Sequence, residues 1–194
     1  MSIPSKTEAR ARARSVLADI DRKQAQAWSS LICHTILDEL DLRPDATVMA
    51  YLGEGTELNI DPMIEACLAA GVRVAVPDVG QDGYEMIPVA LNSLKPGELT
   101  VDRFGIRVPR DRHLIEPEDL NVVVVPALAF DPLCNRLGRG AGFYDRFLKS
   151  LADHIIRAGV CFSPQVLEPL PIDPHDAPMD LVITQDRVYR AAGD

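Results

Sequence analysis

The chain has 194 residues, 47% of them hydrophobic, which is long enough for one well-buried core and short for two, so a single domain over 1–194 is expected. Acidic residues outnumber basic ones 29 to 20, a formal charge of −9, which argues against a nucleic-acid or anionic-membrane surface because phosphate backbones demand clustered cations. Local basic clusters, at Arg10 to Arg14, Arg103 to Arg112 and Arg136 to Arg146, are therefore exceptions that need explaining.

Ser5 followed by Glu8 reads as a capping box, predicting a helix from Ser5 to about Ile20. A second helix is predicted from about Lys23 to Leu40, with Ala27, Trp28, Leu31, Ile32, Thr35 and Ile36 as its buried face. The two helices, about 5–40, are expected to pack on an α/β core of about 46–190. Thr47 to Leu52 reads as a strand, Asp61-Pro62 as a helix start with the acid as N-cap, and Gly71 as that helix's stop. Val72 to Pro77 is a second strand, so 47–77 forms a strand-helix-strand unit of the length a parallel pair needs.

Gln81-Asp82-Gly83 is a turn, Tyr84 to Leu91 a further strand, and Asn92 to Glu118 a long irregular connection of the kind that carries function. Asn121 to Pro126, with four consecutive valines, reads as a strand buried on both faces. Helix Phe143 to Ala152 and strands Ile155 to Phe162 and Leu181 to Thr184 follow, giving an α/β fold with an open, mostly parallel sheet flanked by helices. The four cysteines, at 33, 67, 134 and 161, have no Cys-x-x-Cys spacing, which argues against zinc or dithiol chemistry; Cys134 is the one with a prospect of access. No apolar run approaches the ~18 residues needed to span a bilayer, and a cytoplasmic location is the expectation.

The most informative segment is Asn135 to Asp145, Asn-Arg-Leu-Gly-Arg-Gly-Ala-Gly-Phe-Tyr-Asp. Gly138, Gly140 and Gly142 can bring bare N–H groups against an anion, Arg136 and Arg139 can donate forked hydrogen bonds to phosphate, and Asp145 can hold a divalent cation beside them. A helix opening near Gly142 would add its positive dipole end. The spacing matches neither a dinucleotide turn nor a P-loop. A plain turn is the competing reading, but a turn has no use for two guanidinium groups beside a carboxylate. The segment leaves the carboxyl end of the valine strand, where open α/β sheets bind ligands.

Val-Pro-Ala-Leu-Ala-Phe-Asp at 125–131, followed by Asn-Arg-Leu-Gly-Arg-Gly-Ala-Gly-Phe-Tyr-Asp-Arg-Phe-Leu at 135–148, closely resembles the signature of the 5-formyltetrahydrofolate cyclo-ligase (5,10-methenyltetrahydrofolate synthetase) family. The resemblance covers nearly the whole chain. Lys6-x-x-x-Arg10, Tyr51-Leu52 with Glu57, Phe104-Gly105-Ile106, and His175-Asp176 through Asp180-Leu181-Val182 match its outlying motifs. It implies a fold like the sugar-phosphate isomerase and CoA-transferase group, and an enzyme that uses ATP and Mg²⁺ to close 5-formyltetrahydrofolate into 5,10-methenyltetrahydrofolate. It also implies small-molecule partners only, with a monomer expected.

By the same resemblance, ATP is held by Lys6, Arg10 and Arg136, Leu137, Gly138, Arg139, Gly140, Ala141, Gly142, Phe143 and Tyr144. The folate is held by Tyr51, Leu52, Glu57, Phe104, Arg139, Gly140, Gly142 and Phe143, the metal by Asp145 and Asp180, and catalysis falls to Arg139 and Tyr144. Read bottom-up, Lys6 and Arg10 lie one helical turn apart and can reach one phosphate, though such pairs also simply face solvent. Arg14 repeats the spacing and is expected to be solvated, and His34 to pack. Glu57 could accept from a pterin's N–H groups or be an ordinary loop acid; Asp180 could be a turn acid before its strand; Tyr144 could be core. Phe143, Ala141 and Phe104 stand where relatives often place tyrosine, glycine and tryptophan. The alternatives are a non-catalytic nucleotide- or folate-binding relative and a sugar-phosphate isomerase, whose acid-base pair the loop 127–145 does not supply.

Overall fold

The computed structural model of the chain describes residues 3–53, 55, 57–80, 83–103 and 105–191. Helix α1 (Lys6–Ala18) starts at the predicted capping box, with the Ser5 hydroxyl taking the Glu8 N–H and the Glu8 carboxylate returning to the Ser5 N–H. It buries Ala9 and Ala13 against Leu128, Leu137, Leu167 and Leu170. Small side chains on that face let α1 lie close to the chain leaving the sheet, which later brings its arginines to the site.

Helix α2 (Arg22–Glu39) is capped by Asp21 and buries Ser29, Ile32, Cys33 and Ile36. Its apolar stripe is rotated from the expected one: Leu31 is 53% exposed, Ala27 faces solvent, and Ala25, Cys33 and Leu40 pack inward. His34, expected to pack, is exposed for the same reason. The helix docks on α3 and the sheet together, so the buried arc follows those two neighbours rather than the bulkiest residues.

Strand β1 (Thr47–Met49) is fully buried and shorter than expected, although the chain stays buried through Leu52. Helix α3 (Asp61–Ala69) has Ile60, not Asp61, as its N-cap; Asp61 is the first helical residue, and its carboxylate receives two hydrogen bonds of 3.0 Å from Arg107. Strand β2 (Arg73–Val79) returns parallel to β1, and β3 (Met86–Leu91) folds back antiparallel on it as an edge. The segment from Asn92 to Glu118 is more regular than expected: β4 (Leu99–Val101) and β5 (Arg107–Pro109) pair as a hairpin, and a 3₁₀ turn spans Pro117–Asp119. Two three-residue strands leave too short a pattern to be read from sequence.

Strand β6 (Val122–Pro126) lies between β1 and β9, its four valines almost fully buried. The glycine-rich segment then contains a small hairpin of β7 (Ala129–Phe130) and β8 (Arg136–Leu137) before helix α4 (Phe143–Ser150). Strands β9 (Ile156–Val160) and β10 (Leu181–Ile183) continue the parallel set, and β11 (Val188–Arg190) closes the other edge antiparallel. The seven-stranded sheet runs β11-β10-β9-β6-β1-β2-β3, parallel from β2 to β10, as the run of doubly buried strands implies. Apolar clusters lie on both faces. Phe130 of β7 lies against Gly159, where a Cβ would come within 2.6 Å of its ring; the hairpin is thereby pressed onto β9. All four cysteines are buried, Cys134 included, because its turn is covered by the segment that carries Met179.

Candidate active site

Strand β6 delivers Pro126, Ala127 and Leu128 to the carboxyl end of the parallel strands, where a cavity of about 320 Å³ opens. It is lined by Arg14, Leu17 and Ala18 of α1, by Tyr51, Glu57 and Leu58, by Val160 and Gln165, and by Arg139 of the glycine-rich segment. The Glu57 and Arg139 side chains form an ion pair across this space. They are 82 residues apart in sequence. Glu57 and Arg139, both assigned to the folate by the resemblance and Arg139 to the phosphate as well, therefore line one cavity.

The polar groups of the walls are satisfied from within. The Tyr51 hydroxyl donates to Leu58 O at 3.0 Å, and Gln165 donates to Ala127 O and Leu128 O at 3.1 Å while accepting from the Phe162 N–H. Burial pushes the Tyr51 phenol well above its ordinary range, and the Glu57 charge adds to the shift. Tyr51 and Leu52 are 5% and 4% exposed, so they shape the wall more than they offer free polar atoms.

The glycine-rich segment is held from below and from both sides. Arg136 is buried, donates to Asp145 Oδ1 at 2.7 Å, and lies 5.5 Å above the Tyr144 ring. Its Nε and the Tyr144 hydroxyl are buried without a partner among the described residues. Burial raises the Tyr144 phenol far above its usual value, the Arg136 guanidinium only partly opposing this, so the phenol stays protonated. Leu137 is buried in the cluster with Ala9 and Ala13 of α1, and its carbonyl accepts from the Leu128 N–H at 3.0 Å.

Gly140 and Gly142 have φ of +113° and +72°, a conformation that other residues adopt only with strain. Gly142 is also the N-cap of α4, so no side chain blocks the first-turn N–H groups of that helix. From α1, Arg10 Nε donates to Gly138 O at 3.0 Å, and its guanidinium carbon lies 3.5 Å from where a Gly140 Cβ would stand. On the far side Arg146 donates to Ala141 O at 3.2 Å and Tyr84 O at 2.9 Å and stacks 4.1 Å over the Tyr84 ring and 5.2 Å over Phe143. The result is a backbone cradle with one helix N-terminus and the cations Arg10 and Arg139 around it, an arrangement suited to a polyphosphate.

Lys6 is one turn before Arg10 but is held by two carboxylates, Asp173 at 2.8 Å and Asp176 at 2.7 Å. Its partial burial would lower the ammonium pKa; the hydrogen bonds it donates to Asp173 and Asp176, with their charges, outweigh this and raise it. Asp180 lies at the start of β10, where its Oδ2 accepts from the Arg157 N–H at 2.6 Å, as a turn acid would. That is the amino-terminal side of the parallel strands, whereas Asp145 follows the segment leaving their carboxyl ends. Among the described residues no group of three or more His, Cys, Asp or Glu side chains could hold a metal. Phe104 lies outside the described residues.

Sequence reasoning missed Gln165, which carries no motif; Arg14 is exposed, as expected, and also lines the cavity, which was not expected. The signal for Arg14 was present in the i, i+4, i+8 spacing of Lys6, Arg10 and Arg14 on one helix face. Arg107 was passed over as well; besides Asp61, its guanidinium donates to Gly53 O at 3.3 Å and ties β5 to the segment before Glu57.

Residues 2–185 match the model of the 5-formyltetrahydrofolate cyclo-ligase family. A 5-formyltetrahydrofolate cyclo-ligase of Mycolicibacterium smegmatis is 35% identical over 144 residues, covering 73% of this chain and 74% of the relative. One of Escherichia coli K12 is 32% identical over 146 residues, covering 74% and 80%. Among solved structures, the 5,10-methenyltetrahydrofolate synthetase of Aquifex aeolicus superposes with a TM-score of 0.84 at 28% identity, over 97% of this chain and 94% of that one. The synthetase of Mycoplasma pneumoniae shares the fold with a TM-score of 0.75 at 21% identity, over 94% and 99%.

Proposed function

The chain belongs to the 5-formyltetrahydrofolate cyclo-ligase family and is an enzyme of that class, and from this premise we propose how its residues carry the reaction. It uses ATP to convert 5-formyltetrahydrofolate into 5,10-methenyltetrahydrofolate, with ADP and phosphate as co-products. The N5-formyl oxygen attacks the γ-phosphoryl group. N10 then attacks the formyl carbon and loses its proton, and the oxygen departs with phosphate, leaving the methenyl bridge. Phosphoryl transfer of this kind asks a protein mainly for position and positive charge.

The observation that supports this reading is the single cavity shared by Glu57 and Arg139. In this reading Glu57 accepts from the pterin's amino and ring N–H groups, against a wall made by Tyr51 and Leu52. Arg139, released from Glu57 as substrate enters, turns to the phosphoryl group in flight. The backbone of Gly138 to Gly142, the uncapped first turn of α4 and Arg10 hold the remaining phosphate oxygens, and Phe143 packs beneath Arg146 at the cradle's edge. Tyr144 stays protonated, so its part is to donate to an oxygen and orient it rather than to act as base. Lys6, already shared by two aspartates, contributes less charge to the nucleotide than Arg10.

Mg²⁺ fits the donor set in one way. With no three-ligand cluster among the described residues, an ion would arrive on the polyphosphate, keep several waters and take one carboxylate oxygen, the usual habit of Mg²⁺. Asp145 would supply that oxygen while its Oδ1 accepts from Arg136. When bound, the ion supplies charge neutralisation across the transferring phosphates. Asp180 is assigned instead to securing the start of β10.

The test is purified protein with 5-formyltetrahydrofolate and MgATP, followed by the absorbance of the methenyl product and by release of ADP. ATP-dependent product is expected; its absence overturns the reading. Arg139→Ala should lower turnover by at least about a hundredfold, as for removal of one transition-state donor. Because Arg139 is 68% exposed on its side chain, stability should move by no more than about 0.5 kcal/mol. Unchanged kinetics would remove Arg139 from the site.

A further inference from the structure

We propose that Arg14 is a carboxylate-binding residue at the mouth of the cavity, the group that recognises the glutamyl tail of the reduced folate; this rests on the folate reading above.

Of the charged side chains lining the cavity, Glu57 and Arg139 are paired with each other. Arg14 is the third, and among the described residues it makes neither a hydrogen bond nor an ion pair. In a chain with 29 acidic residues against 20 basic ones, a guanidinium beside a cavity that has attracted no carboxylate of its own protein is left for an anion from outside. The neighbouring arginine on the same face, Arg10, is by contrast pinned to Gly138 O and committed to the glycine-rich cradle. One helix thus presents two arginines one turn apart to two different places: Arg10 to the phosphate segment and Arg14 to the cavity.

The cavity lining holds the three kinds of group that a reduced folate needs. Glu57 offers an acceptor for the N–H-rich bicyclic head. Leu17, Leu58, Leu128 and Val160 supply apolar surface suited to the benzoyl ring. Arg14 supplies the cation for the carboxylates beyond it. At about 320 Å³ the cavity sits at the small end of ligand sites, which run from roughly 300 to 1,000 Å³, so it takes the head and ring and leaves a charged tail at the rim. A rim arginine exposed to solvent suits that position, since a carboxylate bound there keeps part of its hydration.

The experiment compares equilibrium affinities by calorimetry for 5-formyltetrahydrofolate and for 5-formyltetrahydropteroate, which lacks the glutamate. The proteins are the wild type, Arg14→Gln, Arg14→Lys and Glu57→Gln, with MgATP affinity measured in parallel. The wild type should bind the glutamate-bearing ligand roughly tenfold more tightly, the size of one charge-assisted hydrogen bond. Arg14→Gln should abolish that preference, Arg14→Lys should restore part of it, and MgATP affinity should stay as in the wild type. Glu57→Gln should weaken both ligands alike and keep the preference. A wild type with no preference, a preference that survives Arg14→Gln, or a loss of MgATP affinity in that variant would each overturn the assignment. Because binding is read without turnover, failure here is separate from failure of the cyclisation reading, which shows as absent methenyl product from the wild type.

Discussion

Replacing Asp145 with asparagine separates a structural ion pair from a metal ligand. Asp145 faces Arg136 at 2.7 Å; the arginine side chain is 4% exposed and the aspartate side chain 24%. Removing one partner of a fully buried pair costs about 3–5 kcal/mol, because the remaining charge is left uncompensated. A quarter of Asp145 reaches solvent and asparagine keeps an oxygen for Arg136, so the loss is discounted to about 2–3 kcal/mol. For a chain of this size that lowers the thermal midpoint by about 4–12 °C. The assay is thermal and urea unfolding in the absence of nucleotide and Mg²⁺, with an unchanged urea slope showing that the transition is the same one. Converting both partners, Arg136→Met with Asp145→Leu, should recover much of the loss, since no buried charge remains. A midpoint for Asp145→Asn within about 1 °C of the wild type would refute the reasoning. Asp145 would then serve ligand binding alone, and Arg136 would be compensated by other groups.

Two further outcomes follow from burial. Tyr144→Phe deletes a hydroxyl that is buried without a partner, so the ligand-free variant should be as stable as the wild type or up to about 1 kcal/mol more stable, while turnover falls if the hydroxyl serves the bound phosphate. A destabilised variant would mean the hydroxyl is satisfied in the free enzyme, and unchanged turnover would take it out of the reaction. The Cys67 and Cys134 thiols are pushed up to about 11 by burial, with the nearby Asp131 and Asp180 charges adding at Cys134, against an ordinary value of 9.0. The folded state therefore holds these protons more tightly than the unfolded one, and between about pH 9 and 11 stability should fall as pH rises. Urea midpoints across that window check the sign. At pH 8 a thiol reagent should label the native protein only slowly and all four cysteines once it is unfolded; rapid labelling of the native protein would contradict the burial.

Much of the fold was legible in the sequence because it rests on local physics. The Ser5 and Glu8 capping box set the start of α1, the strand-helix-strand pattern of 47–77 set a parallel pair, and four valines marked the central strand. The glycine, arginine and aspartate content of 135–145 is likewise chemistry that can be read residue by residue, and the family comparisons agree with the family it suggested. What the sequence left open depends on contacts between distant residues. The arc of α2 that is buried was decided by α3 and the sheet, not by the positions of Ala27 and Leu31. Cys134 was sealed by a segment that returns at Met179, and Asp180 was drawn to the Arg157 N–H at the other end of the parallel strands. The pairing of Glu57 with Arg139 and the placing of Arg14 beside them came only when β1, β6 and α1 were packed together. Sequence periodicity fixes which residues share an element's face over a few turns; which faces meet is set by strand order and helix docking, and those are properties of the whole chain.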